Sequence, residues 1–173
     1  MEIKLVPLKE EDKGLFIKDI QIAFKKAAVE EFGETEEEII PEKDVIQCFN
    51  EKGAESYFIF ADGEYAGGTV LKIDGETNRN KLQLLYVNID CHSKGIGFGA
   101  WQEIEKLHPE TKVWETCTPY FEKRNIHFYI NKCGFHAVEF YNEFHKDPNE
   151  PEGEIPNEKA GLDMMFRFEK VMK

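Results

Sequence analysis

The residues with the clearest chemical meaning form the glycine-rich run His92-Ser93-Lys94-Gly95-Ile96-Gly97-Phe98-Gly99-Ala100. It joins the apolar segment LQLLYVNID (82–90), which is typical of a strand, to a segment typical of a helix. Glycines at 95, 97 and 99 leave backbone N–H groups uncovered by side chains, at a helix N-terminus that favours anions. This pattern predicts a site for a phosphorylated cofactor. The alternative is that the glycines serve only to make a tight turn.

The segment after the turn has the apolar period of a helix. Ile96, Ala100, Ile104 and Leu107 are spaced by four, four and three residues, and charged residues fill the positions between them. Pro109 marks the end of this helix.

A dinucleotide-binding turn is one interpretation of this segment. It requires the pattern G-x-G-x-x-G and an acidic residue about 20 positions later for a ribose hydroxyl, a role open to Glu115. Ala100 stands where the third glycine of that pattern belongs, which disfavours the interpretation.

The segment from His92 to Gly97 resembles instead the acetyl-CoA loop Q/R-x-x-G-x-G/A of the GNAT acetyltransferases, with His92 in place of Gln or Arg. The segment RNIHFYINKCGFHAVEF (124–140) resembles the family's second signature, a short FYxKxGF helix that leads into a strand. The residues on that pattern are Phe128, Tyr129, Lys132, Gly134 and Phe135. Glu122 stands where many relatives carry Asn, seven residues before the tyrosine, and Asn125 lies four before it.

The resemblance implies acetyl-CoA as co-substrate and no metal. Its phosphates would meet the glycine-rich loop, and its pantetheine arm would pair with backbone near the end of the fourth strand. The cofactor-binding residues implied in this way are Tyr86, Val87, Ile89, His92, Lys94, Gly95, Ile96, Gly97, Phe98, Gly99, Asn125 and Lys132.

The implied reaction is direct acetyl transfer to a primary amine of a small molecule or peptide. An alkylamine with a pKa near ~10.4 is mostly protonated at pH 7, so a base must take its proton. We expect the Val87 N–H to stabilise the oxyanion and Tyr129 to protonate the leaving thiol. Glu115, His127 and water are the candidates for the base, while a core position is the alternative for Tyr129. A non-catalytic acyl-CoA sensor or assembly module is the alternative function, and an NAD-dependent oxidoreductase comes third.

Composition agrees with an enzyme of this kind. The 173 residues are 41% hydrophobic and 13% aromatic, enough for the core of one domain spanning 1–173. A net charge of −12 disfavours nucleic acids and anionic membranes as partners. The spacings of the cysteines and histidines match no metal-binding motif. The sequence shows neither a signal peptide nor a membrane span, so we expect a cytoplasmic protein. We expect it to be a monomer or a homodimer.

Apolar periods and turn residues predict the element order β-α-α-β-β-β-α-β-α-β-β. Helices are expected over 14–32 and from 41 to near 53, with hairpin turns at Asp62-Gly63 and Asp74-Gly75. This order is α+β around a mixed, mostly antiparallel sheet, and the resemblance implies that its fourth and fifth strands splay apart.

Two acidic segments have an open meaning. Residues 30–38 contain six glutamates, and the loop 147–158 contains five acidic residues and three prolines. Both are interpreted as solvated surface. The alternative is that they flank the acceptor pocket and attract a cationic amine.

Overall fold

The computed structural model describes residues 1–34, 36, 38–92, 94–149 and 164–173. Ser93, Glu37 and most of the acidic loop 147–158 therefore lie outside the described residues, as do the first residues of the last predicted strand. The strands of the described part are β1 Ile3–Pro7, β2 Ala54–Ala61, β3 Glu64–Lys72, β4 Arg79–Val87, β5 Val113–Pro119, β6 His136–Tyr141 and β7 Met165–Val171. Its α-helices are α1 Lys13–Phe32, α2 Glu42–Asn50, α3 Ile96–Leu107 and α4 Lys123–His127.

The strands form a sheet in the order β1-β2-β3-β4-β5-β7-β6. Neighbours are antiparallel except β4 and β5, which run parallel because α3 carries the chain back between them. The β2–β3 hairpin turns at Asp62 and Gly63, whose φ angles of 50° and 83° suit the twist of a tight hairpin. The predicted α+β class and element order are confirmed.

The parallel strands separate soon after they meet. β4 pairs with β5 at three positions, from Arg79 opposite Val113 to Lys81 opposite Glu115. Just beyond, β4 has a bulge against β3: Leu82 lies opposite Leu71, but Leu84 lies opposite the next residue of β3, Val70. Such a bulge bends a strand away from its neighbour. The Thr116 hydroxyl donates to the Leu82 carbonyl at 3.0 Å where the backbone ladder stops. The expected splay is therefore present.

Helices cover both faces of the sheet. Phe16, Ile17 and Ile20 of α1 and Val45 of α2 pack with apolar residues of β2 to β4 on one face. On the other face, Trp101 and Ile104 of α3 lie in a second buried cluster with Tyr129. In α3, the buried residues include Ile96, Ala100 and Ile104 of the apolar period that the sequence predicts.

The end of β4 differs from the prediction. The apolar run to Asp90 predicts a strand there, but β4 ends at Val87, and Ile89–Cys91 form a 3₁₀ turn. The Asn88 N–H donates to the Ala66 carbonyl at 2.8 Å, which is the last bond to β3 before the chain turns toward α3. A single apolar residue, Ile89, extended the pattern beyond the strand.

Candidate active site

A cleft of about 530 Å³ opens where β4 and β5 separate. Its walls are α1, the end of β4, the first turn of α3 and the segment from Glu122 to Lys132. The predicted site residues that line it are Tyr86, Val87, His92, Gly95, Ile96, Gly97, Phe98, Asn125, Tyr129 and Lys132. Ile89, Lys94, Gly99 and Glu115 are not among its lining residues.

The glycine-rich turn presents free amides to the cleft. Gly95 has a φ of 78°, the left-handed conformation that glycine adopts without strain. The Gly99 N–H donates to the Gly95 carbonyl at 3.0 Å and is the first helical hydrogen bond of α3. The N–H groups of Ile96, Gly97 and Phe98 precede that bond, so they have no partner within the helix. These amides form a cradle suited to an anion.

Gly97 and Gly99 face different surroundings. A Cβ atom on Gly97 would lie 3.5 Å from the Phe128 ring, in ordinary contact beside the cleft. A Cβ atom on Gly99 would lie 2.8 Å from the Ile3 side chain, because α3 packs closely on β1 there. The geometry thus gives Gly99 a packing role rather than the predicted ligand contact. Lys94 is exposed and lies outside the cleft lining.

The edge of β4 that faces the gap can be assigned from its pairing with β3. Asn88 bonds toward β3, so the backbone groups of Tyr86 do the same, and those of Leu85 and Val87 point away from it into the gap. The Val87 N–H therefore faces the gap, as its predicted oxyanion role requires. The expected backbone contacts at Tyr86 and Ile89 are not supported, since Tyr86 pairs with β3 and Ile89 lies in the 3₁₀ turn.

His92 connects three parts of the site. Its Nε2 lies 2.8 Å from the Val87 carbonyl, and its Nδ1 lies 3.4 Å from the Arg124 guanidinium. Because arginine only donates and a carbonyl only accepts, Nδ1 accepts from Arg124 and Nε2–H donates to Val87. His92 therefore occupies the carbonyl of Val87 with a hydrogen bond and positions Arg124 at the cleft. The sequence did not indicate this role.

Basic side chains are concentrated at the cleft although the chain is strongly acidic. Arg124 and Lys132 line it from the α4 segment, and Lys26 lines it from α1. Lys123, in contrast, faces Glu31 at 3.6 Å on the surface. Asn125 donates to the Thr118 hydroxyl at 3.4 Å, which ties α4 to β5.

Tyr129 lies both in the core and at the cleft. The chain continues from α4 as one π-helical turn over Phe128–Lys132, where Cys133 N–H donates to the Phe128 carbonyl at 3.0 Å. The Tyr129 side chain is 6% exposed and its ring packs on Phe135 and Phe168. Burial raises the pKa of the phenol, so it remains protonated at neutral pH. The core position expected as an alternative is real and coexists with a place on the cleft wall.

Glu115 lies outside the cleft lining, in a cluster of ion pairs. Its carboxylate is 2.5 Å from Arg79 and 3.5 Å from Arg167, which also bind Glu169. Both guanidinium groups would have to be displaced before an acceptor amine could reach this carboxylate. The geometry therefore argues against the predicted role of Glu115 as the base.

Glu122, which stands where many members of the resembling family carry Asn, lines the cleft. Burial raises the pKa of its carboxyl from 4.5 to about 7, with a smaller increase from Glu30 and an opposing effect of Arg124. The burial comes from packing between distant segments, so the sequence carries no signal of it.

Neither a metal cluster nor a membrane-spanning helix is present among the described residues. None of their His, Cys, Asp and Glu side chains form a group of three or more placed to hold a metal ion. None of their helices has the length and apolarity to cross a membrane.

The chain is similar to known proteins in both sequence and structure. Residues 19–135 match the acetyltransferase (GNAT) family. The chain is 50% identical over 168 residues to the protein YrkN of Bacillus subtilis, covering 95% of this chain and 91% of that protein. A Bacillus subtilis acetyltransferase solved in complex with CoA has a TM-score of 0.66 at 19% identity, with 99% of each chain covered. The PaiA N-acetyltransferase of Thermoplasma acidophilum, in complex with coenzyme A, has a TM-score of 0.66 at 18% identity, covering 99% of this chain and 100% of that one.

Proposed function

Because the chain belongs to the GNAT acetyltransferase family, we propose that it transfers an acetyl group from acetyl-coenzyme A directly to a primary amine. The observation that carries this proposal is the cradle of free amides at Ile96, Gly97 and Phe98, which opens into the gap between β4 and β5. A phosphate-bearing ligand with a long flexible arm fits that combination.

The residues present fit the charge of coenzyme A. The amides and partial positive charge of the α3 N-terminus would hold its pyrophosphate. Arg124, Lys132 and Lys26 supply full positive charges on the other walls. In a chain of net charge −12, this local excess of basic groups supports an anionic ligand.

The backbone of β4 would hold the extended arm. The N–H and C=O groups of Leu85 and the N–H of Val87 face the gap, and an extended ligand can pair with them as an added strand. The Val87 carbonyl accepts from His92, so it is not available for that pairing.

The bound co-substrate supplies an acetyl thioester whose carbonyl would lie near Val87. The Val87 N–H would donate to the oxygen that becomes negative as the amine attacks. Tyr129, kept protonated by burial, would donate its proton to the departing sulfur.

Calorimetry with coenzyme A, acetyl-coenzyme A and NAD tests the binding step. We expect heat with the first two and none with NAD. Gly97→Ala adds a methyl group beside the amides, and its ordinary contact with Phe128 lets the fold accept it. We expect its coenzyme A affinity to fall at least about tenfold, roughly 1.4 kcal/mol. Gly14→Ala is the matched control, since its Cβ meets nothing within 4 Å in the first turn of α1.

Thiol release from acetyl-coenzyme A with a panel of amines tests the chemistry. The panel includes a polyamine, lysine, an aminoglycoside and a peptide with a free N-terminus. Release that depends on one of these amines supports the transferase. Binding without release from any of them supports an acyl-CoA-binding module instead, and absence of binding refutes the proposal.

A further inference from the structure

The Glu122 carboxyl combines burial with access to the cleft. Glu122 lies three positions after Pro119, the last residue of β5, and directly precedes α4, so it is close to the end of the splayed strand. It is partly buried, and no described residue forms a hydrogen bond or an ion pair with its carboxylate. A carboxylate in this situation is desolvated but free to accept a proton from a ligand.

The charged groups around Glu122 come from two elements. Arg124 of α4 favours its ionised form, whereas Glu30 of α1 opposes it, and burial opposes it most. The other titratable groups that line the cleft are Lys26, Tyr86, Cys91, His92, His127, Tyr129 and Lys132. Burial thus leaves Glu122 with a pKa of about 7, so that near neutral pH it can both accept and release a proton.

The other candidates for a base are less suited. The carboxylate of Glu115 is bound by two arginines outside the cleft. Both ring nitrogens of His92 are in hydrogen bonds with Val87 and Arg124. His127 is exposed, and its Nδ1 lies 2.9 Å from the Asn131 amide.

From this geometry we propose that Glu122 is the base that takes the proton of the acceptor ammonium in the cleft. The inference rests on the proposed transferase function and adds a catalytic residue to it. It also gives the acceptor a chemical class, because a carboxylate base suits an aliphatic amine that arrives as a cation.

The proton balance of the reaction is complete with Glu122 and Tyr129. The ammonium gives one N–H proton to the Glu122 carboxylate, and the neutral amine forms the C–N bond to the thioester carbon. As the C–S bond breaks, the sulfur takes a proton from Tyr129, which recovers it from the nitrogen of the new amide. Glu122 then releases its proton to solvent, so one ammonium and one thioester give an amide, a thiol and one free proton.

A pKa near 7 makes this transfer easier than an ordinary carboxyl would. An alkylammonium has a pKa near ~10.4, so transfer to Glu122 is uphill by about three pKa units rather than about six. At equilibrium, a difference of about three pKa units leaves roughly one bound amine in a thousand neutral after proton transfer to Glu122. Attack on the thioester consumes this neutral amine and so draws the proton transfer forward.

The test uses Glu122→Gln, which keeps the size and polarity of the side chain but cannot accept a proton. With the fastest amine of the panel at saturating acetyl-coenzyme A, we expect wild-type kcat/KM to rise with pH through an apparent pKa near 7. In the variant we expect no levelling of kcat/KM near pH 7, only the steady rise that follows the neutral fraction of the amine, and a rate at pH 7.5 that is lower by about a hundredfold, on the scale of general base catalysis. Coenzyme A binding, measured by calorimetry, should be retained.

A second readout separates proton transfer from a structural role. The wild-type rate is divided by the Glu122→Gln rate, first with ethylamine and then with 2,2,2-trifluoroethylamine, which is largely neutral at pH 7. This ratio should be at least about tenfold smaller with the fluorinated amine, because that amine needs no base. Glu30→Gln gives a third readout that leaves Glu122 intact. Removing the opposing charge should move the pH-dependent rise of kcat/KM to lower pH.

The outcomes distinguish the two proposals. A Glu122→Gln variant with unchanged rate and unchanged pH profile, or a Glu30→Gln profile that does not move, overturns the assignment of Glu122 while the transferase stands. Should the variant not fold, the Glu30→Gln profile decides alone. A wild-type protein that binds no coenzyme A and releases no thiol with any amine overturns the transferase, and the role of Glu122 with it.

Discussion

Replacing Tyr129 with phenylalanine removes one oxygen atom from the cleft wall and leaves the ring in place. The ring packs on Phe128, Phe135 and Phe168 with centroid distances of 5.3, 5.6 and 5.8 Å. Those contacts do not involve the hydroxyl, so the fold should lose at most one hydrogen bond, about 1 kcal/mol. Any large effect on rate must therefore come from the lost proton.

The expected loss in kcat for Tyr129→Phe is about 10- to 1000-fold, which adds roughly 1.4 to 4.1 kcal/mol to the barrier. Burial raises the pKa of the phenol, so the wild-type protein keeps this proton throughout the neutral range. The wild-type rate should accordingly show no decline at pH 8 to 9 that is due to Tyr129. Coenzyme A affinity should be almost unchanged, because the amide cradle and the basic residues are untouched.

The assay is amine-dependent thiol release under saturating acetyl-coenzyme A, with calorimetry for coenzyme A and thermal unfolding for stability. Tyr141→Phe is the matched control, since Tyr141 is also 6% exposed but lies on β6, where its hydroxyl is 3.4 Å from Glu139. We expect this control to keep full activity. An unchanged kcat in Tyr129→Phe would refute the reasoning and leave solvent as the proton donor, as would a fall in affinity that explains the whole loss.

Three further predictions concern the same site. Glu115→Gln should keep activity within about twofold but lower the melting temperature by a few degrees, because it weakens the ion pair with Arg79; a hundredfold loss of rate would restore Glu115 as the base. Gly95→Ala should cost about 1–3 kcal/mol in urea unfolding, because of its φ of 78°, and should weaken coenzyme A binding, whereas Gly14→Ala does neither. Folding raises the pKa of Glu122 from 4.5 to about 7, so its protonated form stabilises the folded state fully below pH 4.5, and this stabilisation is lost as the pH rises through 7. Relative to Glu122→Gln, the free energy of unfolding of the wild type should therefore fall by on the order of 2 kcal/mol between pH 5 and 7.5, a figure reduced for the partial exposure of the side chain. Parallel stability curves for these two proteins would contradict the last prediction.

The elements that depend on neighbouring residues were predictable from the sequence. The apolar period from Ile96 to Leu107 matches the observed bounds of α3, and the turn at Asp62-Gly63 has the predicted hairpin conformation. Gly134 of the FYxKxGF pattern has a φ of 83°, the left-handed conformation in which glycine commonly follows the end of a helix. In each case the decisive preference acts within a few residues, so the local sequence contains the needed information.

Local sequence patterns could not distinguish residues of one motif whose roles differ because of contacts with distant parts of the chain. Gly97 and Gly99 follow the same repeat, but Gly99 faces Ile3, which lies 96 positions away in the chain. His92 differs from the family's Gln or Arg, and its hydrogen bonds to Val87 and Arg124 appear only after β4 and α4 have been brought together. The π-helical turn that carries Tyr129 has no signal in the apolar period either.

The sequence alone determined the order of strands and helices, the glycine-rich turn before α3 and the family resemblance, because these depend on short-range backbone preference and residue spacing. Only the tertiary structure decided which acid faces the cleft. Glu115 is bound by Arg79 and Arg167 from two other strands, whereas Glu122 is partly buried in the cleft wall and has no described hydrogen-bond or ion-pair partner. Ionisation and burial depend on groups far apart in the chain, and those distances exist only once the sheet and helices have packed.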